Sequence, residues 1–181
     1  LANVPRSMIV VGGGVIGLLT VQLAKLAGAN VMLATRNKAK RDLALRLGAT
    51  AVIDPAATDI TAEIQSLSHG GADVVMECAG VPETVEQAPK LARPGGRVVI
   101  VGVLAQGLKV QYEPFDLLFR EIDIRTSFLN PYTHHRAADL IANGRIEIEP
   151  LISRRASLDE VPEIVANPPG AGEVKVLAVP G

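Results

Sequence analysis

The sequence predicts an α/β fold in which helices cover both faces of a six-stranded parallel sheet. Short runs rich in Val and Ile alternate with amphipathic stretches at helical spacing, which is typical of repeated strand-helix units. The runs Val74-Val75 and 98–101 are apolar at consecutive positions, as expected for strands buried on both faces. Clusters of Gly and Pro interrupt this pattern where turns are needed.

The order of the predicted elements is typical of a doubly wound, Rossmann-type nucleotide fold. The predicted strands are residues 8–11, 31–34, 51–53, 73–77, 97–101 and 122–127. The predicted helices are residues 15–27, 38–47, 60–67, 82–91, 115–120 and 133–143. Turn residues agree with these bounds, because Gly28 and Gly48 follow helices, and Arg93-Pro94-Gly95-Gly96 breaks the chain before the fifth strand.

The pattern changes after about residue 144. Isolated apolar residues and prolines follow, with one predicted short helix at 158–166 and one predicted strand at 174–179. Two elements cannot bury themselves alone, so they pack on the first domain or on a part outside the chain. The predicted organisation is a dinucleotide-binding domain at 1–144 and a C-terminal segment at 145–181.

Composition excludes several classes of function. The 181 residues have a formal net charge of −1, which provides no field of one sign for nucleic acid or an anionic membrane. The apolar runs are strand-length, far below the roughly 20 residues that span a bilayer. A single cysteine, Cys78, can form no internal disulfide, which favours a reducing, cytoplasmic location. The chain begins with Leu1 and has no signal segment, so we expect a fragment of a longer protein.

A glycine-rich turn carries the strongest functional signal. Gly12-Gly13-Gly14-Val15-Ile16-Gly17 places a Gly-x-Gly-x-x-Gly pattern between an apolar strand and an amphipathic helix. In such a turn the first glycine allows the tight bend, the second admits a pyrophosphate and the third lets the helix pack closely. The amides and the dipole of the helix start then hold the anion. A purely structural turn is the alternative, and the flanking strand and helix argue against it.

The residues after the second strand predict which dinucleotide binds. Enzymes that use NAD usually place an acid there for the ribose hydroxyls, whereas this chain has Thr35-Arg36. Arginine and a hydroxyl favour a 2′-phosphate, and Lys38, Lys40 and Arg41 add positive charge, so we predict NADP, with NAD as the alternative. These cations could also be only the solvated start of a helix.

Several further segments resemble one family, the medium-chain, zinc-dependent alcohol and polyol dehydrogenases of the sorbitol and threonine type. The resemblance covers nearly the whole chain and adds to the glycine turn the segments 47–50, 75–80, 93–99 and 100–103. Together with the glycine turn and Thr35-Arg36, it implies a cofactor cleft at the ends of five predicted strands. The residues of this cleft are Gly12, Gly14, Val15, Ile16, Gly17, Thr35, Arg36, Lys40, Cys78, Ala79, Gly80, Val101, Gly102, Val103, Ser127 and Phe128.

The resemblance also implies that a catalytic half is missing. The family holds its zinc on an N-terminal domain through Cys, His and acidic residues, so the expected zinc lies outside this chain. His69, His134 and His135 are not arranged as metal ligands, and no metal or catalytic residue is predicted within the chain. We therefore expect the chain to bind nucleotide and to be inactive alone, with substrate chosen elsewhere. By analogy with the family, it forms a homo-oligomer through the edge of the sixth strand.

Two other functions remain open. The chain could be a stand-alone nucleotide-sensing domain that regulates a partner, or the cofactor domain of a zinc-free quinone reductase. Two more classes are disfavoured by residues. A short-chain dehydrogenase needs Tyr-x-x-x-Lys, which is absent, and a methyltransferase predicts an acid where Thr35-Arg36 stands.

Overall fold

The structure is a computed structural model that describes residues 7–68, 70–130, 132–167, 170 and 172–180. The strands are β1 (Ser7–Val11), β2 (Asn30–Ala34), β3 (Ala51–Ile53), β4 (Ala72–Glu77), β5 (Ala92–Ile100), β6 (Asp123–Thr126), β7 (Ile152–Ala156) and β8 (Lys175–Ala178). The α-helices are α1 (Val15–Leu26), α2 (Lys38–Arg46), α3 (Ile60–Ser68), α4 (Pro82–Leu91), α5 (Pro114–Phe119), α6 (His134–Ala142) and α7 (Val161–Ala166). Short 3-10 helices lie at Glu149–Leu151 and Leu158–Glu160.

The main sheet has the strand order β3-β2-β1-β4-β5-β6, and every pair in it is parallel. The chain therefore starts in the middle, moves to one edge through β3, and crosses to β4 on the other side of β1. This is the doubly wound topology that the sequence predicts, so the fold prediction is confirmed. Most observed bounds lie within one or two residues of the predicted ones, which is the ordinary uncertainty of helix and strand ends.

Two apolar layers cover the two faces of the sheet. On one face, strand residues such as Ile9 and Val75 pack with Ile64 of α3 and Leu91 of α4. On the other, strand residues including Val10, Val31 and Leu33 pack with α1 and α2 through Leu18, Val21 and Leu43. Successive residues of a strand point to opposite faces, so Ile9 and Val10 belong to different layers. This arrangement explains the consecutive apolar residues in the sequence.

The start of β5 differs from the prediction. The sequence predicts a break at Arg93-Pro94-Gly95-Gly96, but β5 begins at Ala92 and includes these residues. Ala72 pairs with Ala92, and the register shifts before Val74 pairs with Arg97. Gly95 has a φ of 69°, a conformation that glycine adopts without strain. The turn-forming residues thus make an irregularity within the strand and do not end it.

The C-terminal segment also needs a correction. The predicted helix at 158–166 is a 3-10 helix followed by α7, and the predicted strand at 174–179 is β8. The sequence did not predict β7, which pairs with β8 in a separate two-stranded parallel sheet. The predicted helix and strand are both present, and β7 is an additional strand that the sequence did not predict.

Apolar packing, which includes Val174, and hydrogen bonds of Gln22 attach this segment to the main domain. Leu151 is buried and joins the apolar layer beneath α1 and α2. The side chain of Gln22, on α1, donates to the main-chain oxygen of Glu147 at 2.9 Å and accepts from the amide of Glu147 at 2.7 Å. Among the described residues, no helix is long and apolar enough to cross a membrane.

Candidate cofactor-binding site

The predicted site residues follow β1, β2, β4, β5 and β6. Because all these strands are parallel, their carboxyl ends meet at one edge of the sheet. Ligands of doubly wound folds bind in the crevice outside this edge, where the strand order reverses. That reversal lies between β1 and β4. The fold therefore brings residues from five separate segments of the chain to one crevice.

The glycine turn after β1 leaves open space beside the uncapped start of α1. Gly12 has a φ of 107°, and its amide donates to the main-chain oxygen of Ala34 at 2.9 Å. A Cβ at Gly17 would collide with the carbonyl oxygen of Gly12, so α1 packs closely on the turn. A Cβ at Gly14 would meet no atom within 4 Å, and no side chain caps the start of α1 at Val15. Space and helix-start amides are therefore available together for an anion.

The exit of β2 packs against the glycine turn. A Cβ at Gly13 would lie 2.9 Å from the side chain of Thr35, so the turn and the β2 exit are in close contact. The amide of Thr35 donates to the main-chain oxygen of Ile53 at 3.1 Å. The structure thus places Thr35 beside the turn, at the position expected for a residue that contacts the adenosine ribose.

The structure separates the basic residues of this region into two groups. Arg41 lies 2.9 Å from Asp54 in an ion pair, and Lys38 lies 2.7 Å from Asp42 in another. Within the described part of the chain, Arg36 and Lys40 form no ion pair. Arg36 is exposed, and the first turn of α2 contains no acid to balance the cations. A helix start favours negative charge, so this positive cluster is poorly compensated within the protein.

The exits of β4 and β5 pack tightly together. Gly80 has a φ of 70°, and a Cβ there would lie 2.9 Å from the amide of Val103. A Cβ at Gly102 would collide with the amide of Gly80. Val101 is half-buried and Val103 is exposed. The segments 78–80 and 101–103, which the resemblance assigns to the cofactor, therefore form one surface at the edge of the sheet.

Glu77 is a residue of this region whose role sequence reasoning missed. It is the last residue of β4 and is fully buried. Its main-chain oxygen accepts hydrogen bonds from the amides of Val101 and Gly102, each at 2.9 Å. The available signal was an acid at the end of the apolar run Val74-Val75-Met76, because an acid is almost never fully buried without partners.

The environment of Cys78 makes its thiol unreactive near neutral pH. Burial raises the pKa of this thiol to about 12; a hydrogen bond with Thr20 opposes the shift, and the charge of Glu77 adds to it. The thiolate is the reactive form of cysteine, so this side chain remains a neutral thiol at physiological pH.

Ser127 and Phe128 follow β6 at the same edge. The amide of Ser127 donates to the main-chain oxygen of Ile100 at 2.9 Å, which extends the pairing of β5 with β6 by one residue. Both side chains are exposed. They lie next to the β5 exit and are open to a ligand in the crevice.

The described residues contain no group of three or more His, Cys, Asp or Glu that could hold a metal ion. His134 starts α6, and its Nε2 lies 2.8 Å from Nδ2 of Asn130. His69 lies outside the described residues.

Comparison with known proteins identifies the family. A family model described as zinc-binding dehydrogenase matches residues 15–143, which is more than half of the chain. This chain belongs to the zinc-binding dehydrogenase family. The resemblance drawn from the glycine turn and the later segments is therefore confirmed.

Individual zinc-binding dehydrogenases support this assignment. A crystal structure of a protein from Sinorhizobium meliloti 1021, described as a zinc-binding dehydrogenase bound to NADP, is 57% identical, with a TM-score of 0.92 over 97% of this chain and 52% of that one. The (R,R)-butanediol dehydrogenase of Neisseria gonorrhoeae is 30% identical over 83% of this chain and 42% of its own length. The L-threonine 3-dehydrogenase of Bacillus licheniformis is 33% identical over 83% and 44%. The chain thus spans about half the length, or less, of these relatives.

Proposed function

We propose that this chain is the NADP-binding domain of a medium-chain, zinc-type alcohol or polyol dehydrogenase. One observation carries the choice of cofactor: at the exit of β2, Arg36 and Lys40 form no ion pair within the described residues, and no acid occupies residues 35–37. The NADP in the related Sinorhizobium protein supports the same choice.

The residues of the crevice fit the two charged parts of NADP. The open space at Gly14 and the uncapped start of α1 suit the pyrophosphate, which would contact the amides near Val15 and Ile16. Arg36 and Lys40 suit the 2′-phosphate, and the hydroxyl of Thr35 can donate to it. A phosphate there would also balance the positive first turn of α2.

The loops after β4, β5 and β6 suit the nicotinamide half. This half would lie on the surface formed by Ala79, Gly80 and residues 101–103. That surface is bordered by Ser127 and Phe128. When bound, the nicotinamide supplies the hydride acceptor or donor of the reaction. The role of this chain in that reaction is to bind and orient the cofactor, because the resemblance assigns the zinc ligands to the part of the family that the chain does not cover. We expect the chain alone to bind the dinucleotide and to transfer no hydride.

Titration with both dinucleotides tests this proposal. The chain should bind NADP more tightly than NAD. Arg36→Ala should weaken NADP binding by about tenfold or more, as expected for the loss of a charge-assisted contact, and should leave NAD binding nearly unchanged. Lys38→Ala is the matched control, because Lys38 is already paired with Asp42. Tighter binding of NAD, or a preference that survives Arg36→Ala, would overturn the proposal.

We also propose that β6 pairs with a second copy of the chain. This strand is the edge of the main sheet, and its exposed edge is a template for another strand. Sedimentation velocity over a range of concentrations should show a dimer, and a monomer throughout would contradict this.

Two further points remain predictions. One is a cytoplasmic location, which the single cysteine supports. The other is the division of the chain at residue 144, which the separate β7-β8 sheet supports.

A further inference from the structure

The buried carboxylate of Glu77 lies between the loop after β4 and the loop after β5. Oε1 of Glu77 accepts hydrogen bonds from the amides of Ala79 and Gly80, each at 2.9 Å, and from the hydroxyl of Thr84 at 2.8 Å. The first two donors belong to the loop after β4, and Thr84 belongs to the first turn of α4. The carboxylate thus holds this loop against the end of its own strand.

The backbone of the same residue holds the neighbouring loop. The amides of Val101 and Gly102 converge on the main-chain oxygen of Glu77. The side chain of Glu77 is therefore hydrogen-bonded to 79–80, while its main-chain oxygen is hydrogen-bonded to 101–102. Both loops contact this one residue.

The second carboxylate oxygen of Glu77 differs from the first in its contacts. Oε2 is buried without a hydrogen-bond partner among the described residues. It faces the β5 exit, because a Cβ at Gly102 would lie 2.5 Å from it. Burying an unpartnered polar oxygen costs free energy, which an apolar side chain would avoid. The carboxylate at this position therefore combines one unpartnered buried oxygen with three hydrogen bonds that fix the loop after β4.

We propose that Glu77 is a positioning residue that orients the nicotinamide half of the bound dinucleotide by holding the loops 79–80 and 101–103 in register. This inference rests on the proposed function. Glu77 itself is too buried to touch a ligand, so it acts through the loop residues. Its effect should be confined to one half of the cofactor, because the β2 exit with Thr35 and Arg36 lies on the other side of β1.

Binding of whole and half cofactors tests this division. The probes are NADP and adenosine 2′,5′-bisphosphate, which contains the adenosine and the 2′-phosphate without the nicotinamide. Glu77→Ala should weaken NADP binding by about tenfold or more, since the two hydrogen bonds to the loop and the one to Thr84 are lost, and should leave binding of the bisphosphate within about twofold. Glu77→Gln keeps one acceptor oxygen and should restore part of the NADP affinity.

A second variant, in the loop after β5, perturbs the contact between this loop and Glu77. Gly102→Ala places a methyl group against Oε2 of Glu77 and the Gly80 amide, so it should reproduce the selective loss of NADP affinity even if Glu77→Ala does not fold. Glu83→Ala, an exposed acid on α4, and Gly170→Ala, where a Cβ meets no atom within 4 Å, are the matched controls. Emission from bound NADPH should also shift in Glu77→Ala, and the chain has no Trp to obscure it.

The outcomes separate the two proposals. If the unaltered chain binds neither probe, the proposed function is wrong and this inference falls with it. If the unaltered chain binds both and Gly102→Ala and the Glu77 variants retain full NADP affinity, only the role of Glu77 is overturned. An equal loss of NADP and bisphosphate binding would also overturn it, because Glu77 would then support the fold as a whole.

Discussion

The guanidinium of Arg41 donates to the main-chain oxygen of Thr35 at 2.7 Å and also forms an ion pair with Asp54 at 2.9 Å. This contact ties the first turn of α2 to the exits of β2 and β3. Arg41 is only 16% exposed, so its charge is used within the protein. It therefore shapes the β2 exit, and Arg36 and Lys40 are the cations left for a ligand.

Arg41→Ala should lower the free energy of unfolding by about 1 to 3 kcal/mol, because the Thr35 oxygen and the Asp54 carboxylate both lose a charged donor. The measurement is urea denaturation. Lys38→Ala removes an exposed ion pair and should cost less than about 0.5 kcal/mol. Equal losses in the two variants would show that Arg41 is not a structural residue of this exit.

Substitution of two glycines in the same turn should affect different properties: stability at Gly17 and NADP binding at Gly14. Gly17→Ala adds a methyl group against the Gly12 carbonyl oxygen. Alanine gains about 1 kcal/mol of helix propensity, but backbone overpacking costs about 1 to 3 kcal/mol, so we expect a net loss of stability. Gly14→Ala meets open space and should preserve stability within about 0.5 kcal/mol while weakening NADP binding, because the methyl group enters the pyrophosphate space.

Denaturation and NADP titration of both variants check this expectation. A Gly17→Ala variant as stable as the unaltered chain would contradict the close packing of α1 on Gly12. A Gly14→Ala variant that binds NADP normally would contradict the proposed position of the pyrophosphate.

Cys78 should react slowly with iodoacetamide near neutral pH. Burial raises the pKa of its thiol from 9.0 to about 12, so the folded chain has about a thousandfold less thiolate than an ordinary cysteine. Between these two pKa values the folded state binds more protons than the unfolded state, and stability should fall as pH rises through this range. Cys78→Ala should remove that part of the alkaline loss. Rapid labelling of the native chain would disprove this.

Gln22→Ala should loosen the C-terminal segment. The variant removes both hydrogen bonds to the backbone of Glu147, and we expect a loss of about 1 to 2 kcal/mol together with faster proteolysis after residue 144. Gln65→Ala, at an exposed position of α3, is the control. If both variants are cleaved at the same rate, the apolar contacts of Leu151 and Val174 are sufficient to hold the segment.

The sequence predicted those strands, helices and turns whose pattern of apolar, turn-forming or glycine residues lies within a few neighbouring positions. Apolar runs with turn residues on either side located β1 to β4, and the spacing of Gly12, Gly14 and Gly17 located the crevice. In contrast, β7 contains one Ile and two Arg in five residues, so no local pattern marks it. It is a strand because it pairs with β8, about twenty residues further along the chain.

By itself, the sequence determined the fold class, the glycine turn and the presence of cations without an acid after the second strand. These features depend on neighbouring residues and on helix and strand periodicity. Only the tertiary structure decided which cations have partners: Arg41 reaches Asp54 across two strand exits, while Arg36 and Lys40 do not meet an acid in the described residues. Only the structure showed Glu77 between two loops, because its donors at 79–84 and 101–102 are brought together by the pairing of β4 with β5.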